Sequence, residues 1–400
     1  MINSVRVVNF KSLADVSFTL GHFNCLVGMN GAGKSTVLQA LDFVSQLMRG
    51  DVQGWLDRRG WTAADLNCKL RKERNITFTV SFQPTGGGTL TWMGTFNRSD
   101  LRCTKELAIL KNDRTTELLD LRGLLYGLAG KEPQPIAFDY QGSILSALKD
   151  SELPTALLEF RDALRLVRSL ELLSPDKLRK SARVSEHDIG AGGERLSAYL
   201  DNIKGDRKTQ LVALLQRFYP ALVDYKITSQ KSGWKKLSVF EQFGSQKLET
   251  EALHLNDGLL RILAVLTQAD ADRSLLLLDE LENGINQEIV ETLVDTLLQS
   301  PQQLLVTTHS PLLLNYLPDD VAREAVQFLY KTPQGETKIC RFFSIPRMSA
   351  KLEAMGPGDA FVDTDLRLLA QECIEQDEIA EAIIRAEQQA EGDASQAGGE

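Results

Sequence analysis

Apolar and polar positions alternate with period two over residues 2–10 and 16–20, which predicts two strands at the start of the chain. Residues 23–27 form a third, short and mostly apolar strand, which runs into a glycine-rich turn at 28–33. The period then changes. Val37, Leu38, Leu41 and Val44 share one face of a helix over about 35–48. Residues 50–60 read as a loop. Residues 76–82 and 89–96 alternate on either side of Pro84-Thr85-Gly86-Gly87-Gly88, the pattern of a hairpin. Two helical stretches and a strand-like segment at 135–140 are expected next.

The middle third changes character. Pro154 and Pro175 bracket a helix with Leu157, Phe160, Leu164 and Val167 on one face, and further helices are expected at 194–202 and 208–219. Only about two heptads run in register, too few for a long coiled coil. Strand patterns return at 224–229 and 236–243. Helix 257–269, strand 274–278, helix 286–299, strand 303–307, helix 310–317 and strands near 325–330 and 338–343 follow. That βαβα order predicts a mostly parallel sheet flanked by helices. The Gly/Ala/Ser/Glu composition of 390–400 predicts disorder.

Composition and charge narrow the function classes. The chain has 400 residues, 43% hydrophobic and 25% charged, as in a globular protein of roughly two to three domains. The longest apolar runs fall far short of a membrane span, and no secretory signal is visible at the N-terminus. The net charge of −9 is concentrated: residues 371–400 carry nine acidic groups and one basic group, so the rest of the chain is near neutral. The bland reading of this tail is a solvating segment; a partner contact or a DNA mimic is the sharper one. Five widely spaced cysteines without a C-x-x-C fit a reducing cytoplasm, and four scattered histidines argue against a His-rich metal site.

Four segments carry chemistry. Gly28-Met29-Asn30-Gly31-Ala32-Gly33-Lys34-Ser35-Thr36 matches G-x4-G-K-[ST] between a predicted strand and a predicted helix. Glycines let backbone N–H groups surround a polyphosphate; Lys34 neutralises its charge and the Ser35 hydroxyl suits Mg²⁺. Leu275–Leu278 then Asp279-Glu280 reads as a buried strand delivering carboxylates to a sheet edge, Asp279 toward Mg²⁺ and Glu280 as general base. A plain acidic helix N-terminus is the competing reading. His309 ends the next apolar strand, 30 positions after Asp279, where an imidazole can report a γ-phosphate; a structural histidine is the alternative. Leu255-Asn256-Asp257-Gly258 opens a helix and suits phosphate contact, or Asn256 or Asp257 is simply an N-cap.

In this order the four segments resemble the ABC-type ATPase superfamily, and more closely its RecF/SMC-like branch. Val8-Asn9-Phe10-Lys11-Ser12-Leu13 is similar to that branch's strand and turn before the phosphate loop. Gly190-Ala191-Gly192-Gly193-Glu194-Arg195-Leu196 and Glu280-Leu281-Glu282-Asn283-Gly284 resemble stretches of its small stand-alone predicted ATPases. The likeness covers about residues 2–318. It implies an α/β ABC-type P-loop NTPase head with an antiparallel β lobe and a helical insertion. The expected organisation is an N-terminal ATPase lobe (1–150), a helical insertion or arm (151–245), a C-terminal ATPase lobe with signature turn, Walker-B carboxylates and switch histidine (246–345), and a C-terminal helical region with the acidic tail (346–400).

The resemblance further implies two heads sandwiching two ATP molecules with Mg²⁺. Asn256, Asp257 and Gly258 would touch the partner's nucleotide. Lys11 and Ser12 would approach it from the side, and Asn30 to Thr36 would cradle its phosphates. Gln141, in Tyr140-Gln141-Gly142, resembles the glutamine that touches Mg²⁺ and the attacking water, with Gln53 a less fitting alternative. Arg58 or Arg59 resembles an arginine that reaches the phosphates. This chain departs from the family pattern at Asn256 (usually Ser), Leu281 (usually Pro) and Asn286-Gln287 (usually His-Pro). The 224 positions from Lys34 to Gly258 exceed the plan of a transporter subunit, and the absence of C-x-x-C argues against a zinc-hook ATPase. Asp363-Thr364-Asp365 lacks the upstream Glu-Gly expected of a fused nuclease and reads better as a cap. Two functions stay open: a hydrolytic switch in repair or antiphage defence with a separate effector and DNA as a possible partner, or a nucleotide-gated scaffold restraining a toxin or nuclease.

Overall fold

Segments that are apolar on both faces pair as a parallel sheet here, and segments that alternate pair as an antiparallel one. The computed structural model describes residues 1–171, 174–185, 188–269, 271, 274–379 and 382. The chain opens with β1 (Ile2–Phe10), β2 (Leu13–Thr19) and β3 (Phe23–Gly28), then α1 (Lys34–Arg49) and α2 (Val52–Arg59). An antiparallel run follows: β4 (Asn75–Phe82), β5 (Thr89–Asn97), β6 (Arg102–Lys111), β7 (Thr115–Arg122), β8 (Leu125–Leu128) and β9 (Gln134–Pro135). The middle region holds α3 (Thr155–Arg165), β10 (Arg168–Leu170), α4 (Pro175–Leu178), α5 (Leu196–Asn202) and α6 (Gly205–Gln216). It then forms β11 (Leu222–Ser229), β12 (Lys235–Phe243) and β13 (Gln246–Glu251), a three-stranded antiparallel sheet of its own.

The last third alternates helix and strand: α7 (Asp257–Ala269), β14 (Leu275–Leu278), α8 (Val290–Leu298), β15 (Gln303–Thr307), α9 (Pro311–Asn315), α10 (Asp319–Ala325), β16 (Val326–Lys331) and β17 (Thr337–Arg341). It closes with α11 (Pro346–Leu352), α12 (Pro357–Val362) and a helix over 366–379. The six-stranded sheet has the order β10-β14-β15-β3-β16-β17, parallel except for β17. The eight-stranded sheet, β2-β1-β4-β5-β6-β7-β8-β9, is antiparallel.

The parallel strands are buried on both faces, and alternate residues feed two cores. Leu275, Leu277, Leu305 and Leu26 point into one, shared with α1 and the inward positions of the antiparallel sheet. Leu276, Leu278, Leu304, Val306 and Val27 point into the other, beneath α7 and α8. Phe43 locks α1 onto the antiparallel sheet, with its ring 5.1 Å from Phe96 and 5.8 Å from both Phe10 and Phe78. The start of α1, and the loop before it, are thereby fixed at the edge of the parallel sheet.

Three sequence expectations are corrected. The helical stretches expected after residue 96 are the strands β6 to β8. Glu106 occupies an inward position of β6 and is 1% exposed, so a charge interrupts the apolar alternation that would have marked the strand. Residues 52–59, expected as loop, form α2, closed by Gly60 at φ 64°. The strand expected at 135–140 is reduced to the two-residue pairing of β9 with β8. Asp365 caps the 366–379 helix, its Oδ1 accepting from the Arg367 N–H at 2.8 Å, and Asp363 pairs with Lys351. The 390–400 tail lies outside the described residues.

Candidate functional site

The C-terminal ends of β3, β14 and β15 lie side by side, because these strands pair in parallel register. β3 ends at Gly28, whose φ of +146° and proximity to the β16 backbone exclude any other residue: an added Cβ would sit 2.3 Å from the Leu329 carbonyl oxygen. The chain turns through 29–33 and enters α1 at Lys34. Gly33, at φ +112°, packs against Thr337 and Ser12. Thr337 donates to the Ala32 carbonyl at 2.9 Å and lies 3.2 Å from the Ser12 hydroxyl. The loop is braced from β17, by a residue that no motif marks.

Lys34 is 7% exposed, and its ammonium donates to the Gly28 and Met29 carbonyls at 2.9 and 3.3 Å. Burial lowers its pKa, while Asp279, Glu280 and Glu282 pull it back up. Gly31 faces open space, and Asn30 and Ser35 are exposed. Thr36, the third residue of α1, is half-buried.

The carboxylates are held by a threonine pair. The Thr307 hydroxyl donates to Asp279 Oδ1 at 2.6 Å and accepts from the Glu280 N–H at 2.8 Å, bridging the ends of β14 and β15. Glu280 has φ +48°, a strained backbone for a non-glycine residue, and its carboxylate accepts from Asn283 Nδ2 at 3.2 Å. Glu282 accepts from the Thr308 hydroxyl at 2.9 Å and from the His309 N–H at 2.8 Å, so it fixes the strand end that presents His309. Burial and the Lys34 ammonium lower the His309 pKa, against Glu282, Glu280 and Asp279. A neutral imidazole, able to donate through one nitrogen and accept through the other, is thereby favoured near pH 7.

Lys11 stands beside this edge. Its ammonium lies 3.0 Å from Gln39 Oε1 and 3.1 Å above the Trp61 ring. Burial and then Arg59 lower its pKa to about 8, against Asp65 and Glu171. Of the two arginines weighed from sequence, Arg59 is the one brought here. It pairs with Asp42 and Glu171 and its guanidinium stacks on Trp55 and Trp61. Arg58 pairs with Asp51 at the surface. The 190–195 stretch faces α1 and α2 across a cleft of about 750 Å³.

Gln141 is not at this edge. Gly142 packs on the Leu47 carbonyl, the Ser143 N–H donates to the same oxygen at 2.8 Å, and the Gln141 carbonyl lies against Gly50. This is the far end of α1, roughly 22 Å along the helix from Lys34 at 1.5 Å per residue. Gln141 Oε1 is also taken by the Gln53 N–H at 2.9 Å, so Gln53 shares the location. The Gln-Gly pair serves a turn: Gly142 has φ +72°, and a Cβ there would be 2.3 Å from the Leu47 oxygen. At the end of β10, beside Asp279, stands Glu171, salt-bridged to Arg59. Gln141→Ala is expected to leave ATP turnover within about twofold of the parent, as for a substitution away from the site. A fall of tenfold or more in a steady-state assay would return Gln141 to the chemistry.

Asn256 caps α7, its Oδ1 accepting from the Leu259 N–H at 2.7 Å, while its Nδ2 is uncommitted among the described residues. Asp257 is paired with Arg179. Gly258 faces the Gly284 carbonyl, 3.2 Å from where its Cβ would be. No hydrogen bond or ion pair joins 256–258 to 28–36 of the same chain among the described residues.

Comparisons with known proteins bear on the fold and on stretches of the sequence. Residues 1–119 match the family model described as AAA ATPase domain, and residues 144–315 the one described as AAA domain, putative AbiEii toxin, Type IV TA system. A 104-residue stretch is 35% identical to the OLD nuclease of Thermus scotoductus; it is 26% of this chain and spans 18% of that relative's length. The crystal structure of an SMC head bound to the C-terminal winged-helix domain of ScpA superposes with a TM-score of 0.54 at 13% identity, over 85% of this chain and 96% of that one. An SMC head with an extended coiled coil, bound to the C-terminal domain of ScpA derived from Pyrococcus furiosus, gives 0.50 at 12% identity, over 88% and 99%. The fold is that of an SMC head, α/β with a mostly parallel sheet flanked by helices, and is consistent with a P-loop ABC-type ATPase head. The two ATPase domain matches and the partial likeness to an OLD nuclease support a likeness to the RecF/SMC-like ABC-type ATPases.

The residues present suit a nucleotide with Mg²⁺. An exposed hydroxyl (Ser35) and a carboxylate (Asp279) are the hard oxygen donors that Mg²⁺ takes alongside substrate phosphates. The Lys34 ammonium, which here donates to two loop carbonyls, is the donor that a phosphate oxygen would take up. Among the described residues no helix is long and apolar enough to cross a membrane.

Proposed function

We propose that the chain binds ATP with Mg²⁺ at the interface of two heads, hydrolyses it, and works as a switch in a DNA-linked process, repair or antiphage defence, through a separate effector. The observation that carries this reading is the convergence of Lys34, Asp279, Glu280 and His309 on one strand-end edge. In it, Asn30 to Thr36 hold the phosphates, with Lys11 and Ser12 alongside. Ser35 and Asp279 hold Mg²⁺, whose contribution is charge neutralisation at the phosphates. Glu280 orients and deprotonates the attacking water, and His309 senses the γ-phosphate. Asn256, through an Nδ2 uncommitted among the described residues, together with Asp257 and Gly258, completes the partner's site. The likeness to part of an OLD nuclease supports the link to nucleic acid.

A second reading has specific support. Glu280 is engaged by Asn283, and Asp257 by Arg179, so both groups must be released before they can act. A head that turns over slowly and mainly gates a bound toxin or nuclease fits that resting arrangement. The two SMC-head neighbours are themselves bound to domains of ScpA, which supports a head surface that holds a protein partner.

The test is the size of Glu280→Gln with and without ATP and Mg²⁺, by light scattering after gel filtration. Nucleotide binding survives this change while hydrolysis stalls, so ATP is expected to shift the variant to a dimer. A variant that binds ATP yet keeps its size, and gives no cross-link between position 256 and the partner's phosphate loop, would end the sandwich reading. Hydrolysis by the parent protein, with duplex DNA added, separates the two functions: fast or DNA-stimulated turnover favours the first.

A further inference from the structure

Arg261 is the unexplained residue of this site. It lies one turn into α7, is 5% exposed, and its Nε meets no acceptor. Among the described residues no carboxylate pairs with its guanidinium. A buried guanidinium nitrogen without an acceptor is a cost that a fold seldom retains, so one that persists beside the Glu280 turn calls for a role.

Its surroundings indicate the role. Arg261 runs beneath the turn that follows Glu280: a Cβ on Gly284 would stand 3.0 Å from Arg261 Nε and 3.4 Å from Cζ. Gly284 in turn presents its carbonyl to Gly258. Arg261 therefore touches the Glu280 turn, which packs on the 256–258 turn. Two carboxylates lie within electrostatic reach of Arg261, Asp257 and Glu280, and both are engaged elsewhere, by Arg179 and Asn283.

We infer that Arg261 is a positioning residue that couples the Glu280 carboxylate of one subunit to the turn with which that subunit contacts its partner's nucleotide. The inference rests on the head-dimer reading. A triphosphate arriving at 256–258 repels Asp257, and Arg261 is the second cation within its reach. A shift of Arg261 toward Asp257 or toward Glu280 moves the guanidinium against Gly284 and so moves the turn carrying Glu280 and Asn283. The two composite sites of a dimer would then report to one another through Arg261.

The experiment compares Arg261→Met and Arg261→Lys with the parent protein in steady-state ATP hydrolysis, with Glu280→Gln sized in ATP alongside. Arg261→Met is expected to lower kcat about tenfold or more, with KM within about twofold, and to bring the Hill coefficient to about 1. Arg261→Lys keeps the charge and is expected to recover part of kcat. The melting temperature of Arg261→Met should not fall, because the change removes a buried N–H that has no acceptor. Parent values of kcat and Hill coefficient in Arg261→Met would overturn the inference. So would a loss of kcat that tracks a loss of melting temperature in both variants, since that marks a merely structural residue. If Glu280→Gln fails to dimerise in ATP, the head-dimer reading falls and this inference falls with it. If it dimerises and Arg261→Met is unaltered, only the coupling is lost.

Discussion

Lys34→Ala is expected to lower ATP turnover by roughly a hundred- to a thousandfold, the range seen when one preorganised charge donor is removed from a reacting centre. The magnitude follows from the site's construction. The Lys34 ammonium is buried, held by the Gly28 and Met29 carbonyls, and within electrostatic reach of Asp279, Glu280 and Glu282. Without it, the triphosphate would meet those carboxylates with one cation fewer, and Mg²⁺, Lys11 and the backbone N–H groups would have to offset them. The loop itself would survive, because its shape is set by Gly28 against Leu329 and by Thr337 on Ala32. The variant is therefore expected to melt like the parent while losing ATP affinity and turnover together. Titration with a fluorescent ATP analogue, steady-state hydrolysis and a thermal melt check the three parts. Turnover within tenfold of the parent would remove Lys34 from the phosphate contact. Arginine should not rescue, since a planar guanidinium cannot enter the space between two carbonyls that accepts an ammonium.

Sequence pattern revealed the parts of the site whose chemistry is local. Leu275–Leu278 and 303–307 are continuous apolar runs ended by polar residues, and a parallel sheet buried on both faces has that signature. The phosphate loop is legible because its glycines, Lys34 and the following helix are contiguous. What pattern could not reveal is made by long-range contact. Thr337 braces Ala32 across 305 positions, and Thr307 reaches Asp279 across 28. Neither threonine differs in sequence from a strand residue chosen for β propensity. Arg261 reads as one more helical position until the missing acceptor at its Nε is seen. Gln141 shows the reverse case. The Tyr-Gln-Gly motif fits the chemistry of a metal ligand, but the antiparallel sheet returns the chain to the wrong end of α1. Topology, not residue type, decides that position. The β6 strand was hidden by a single inward glutamate.

That glutamate should leave a large mark on stability. Glu106 is fully buried, and burial pushes its pKa from 4.5 to about 7, against hydrogen bonds from Ser143, Ile144 and Trp92. The native state therefore keeps the Glu106 proton over a range where the unfolded chain has lost it. A carboxyl raised in this way contributes stability that is full below about 4.5 and is lost as pH rises toward 7. The shift corresponds to on the order of 3 kcal/mol across that window. Glu106→Gln cannot ionise, so the difference in stability between parent and variant should change with pH by an amount of that order. At pH 5 the parent should be the more stable. The glutamine amide offers one acceptor where Trp92 Nε1 and the Ile144 N–H donate from separate sides, at 2.9 and 2.7 Å, and one donor is left facing another. Such a buried mismatch costs about 1–3 kcal/mol. Toward pH 8 the parent carries the penalty of a buried carboxylate, and the two unfolding curves should converge or cross. Urea titrations of both proteins at pH 5 and pH 8 measure this directly. Parallel behaviour, with a constant gap at both pH values, would mean that the Ser143, Ile144 and Trp92 donors hold Glu106 ionised throughout, and that the inward charge of β6 is carried by hydrogen bonds alone.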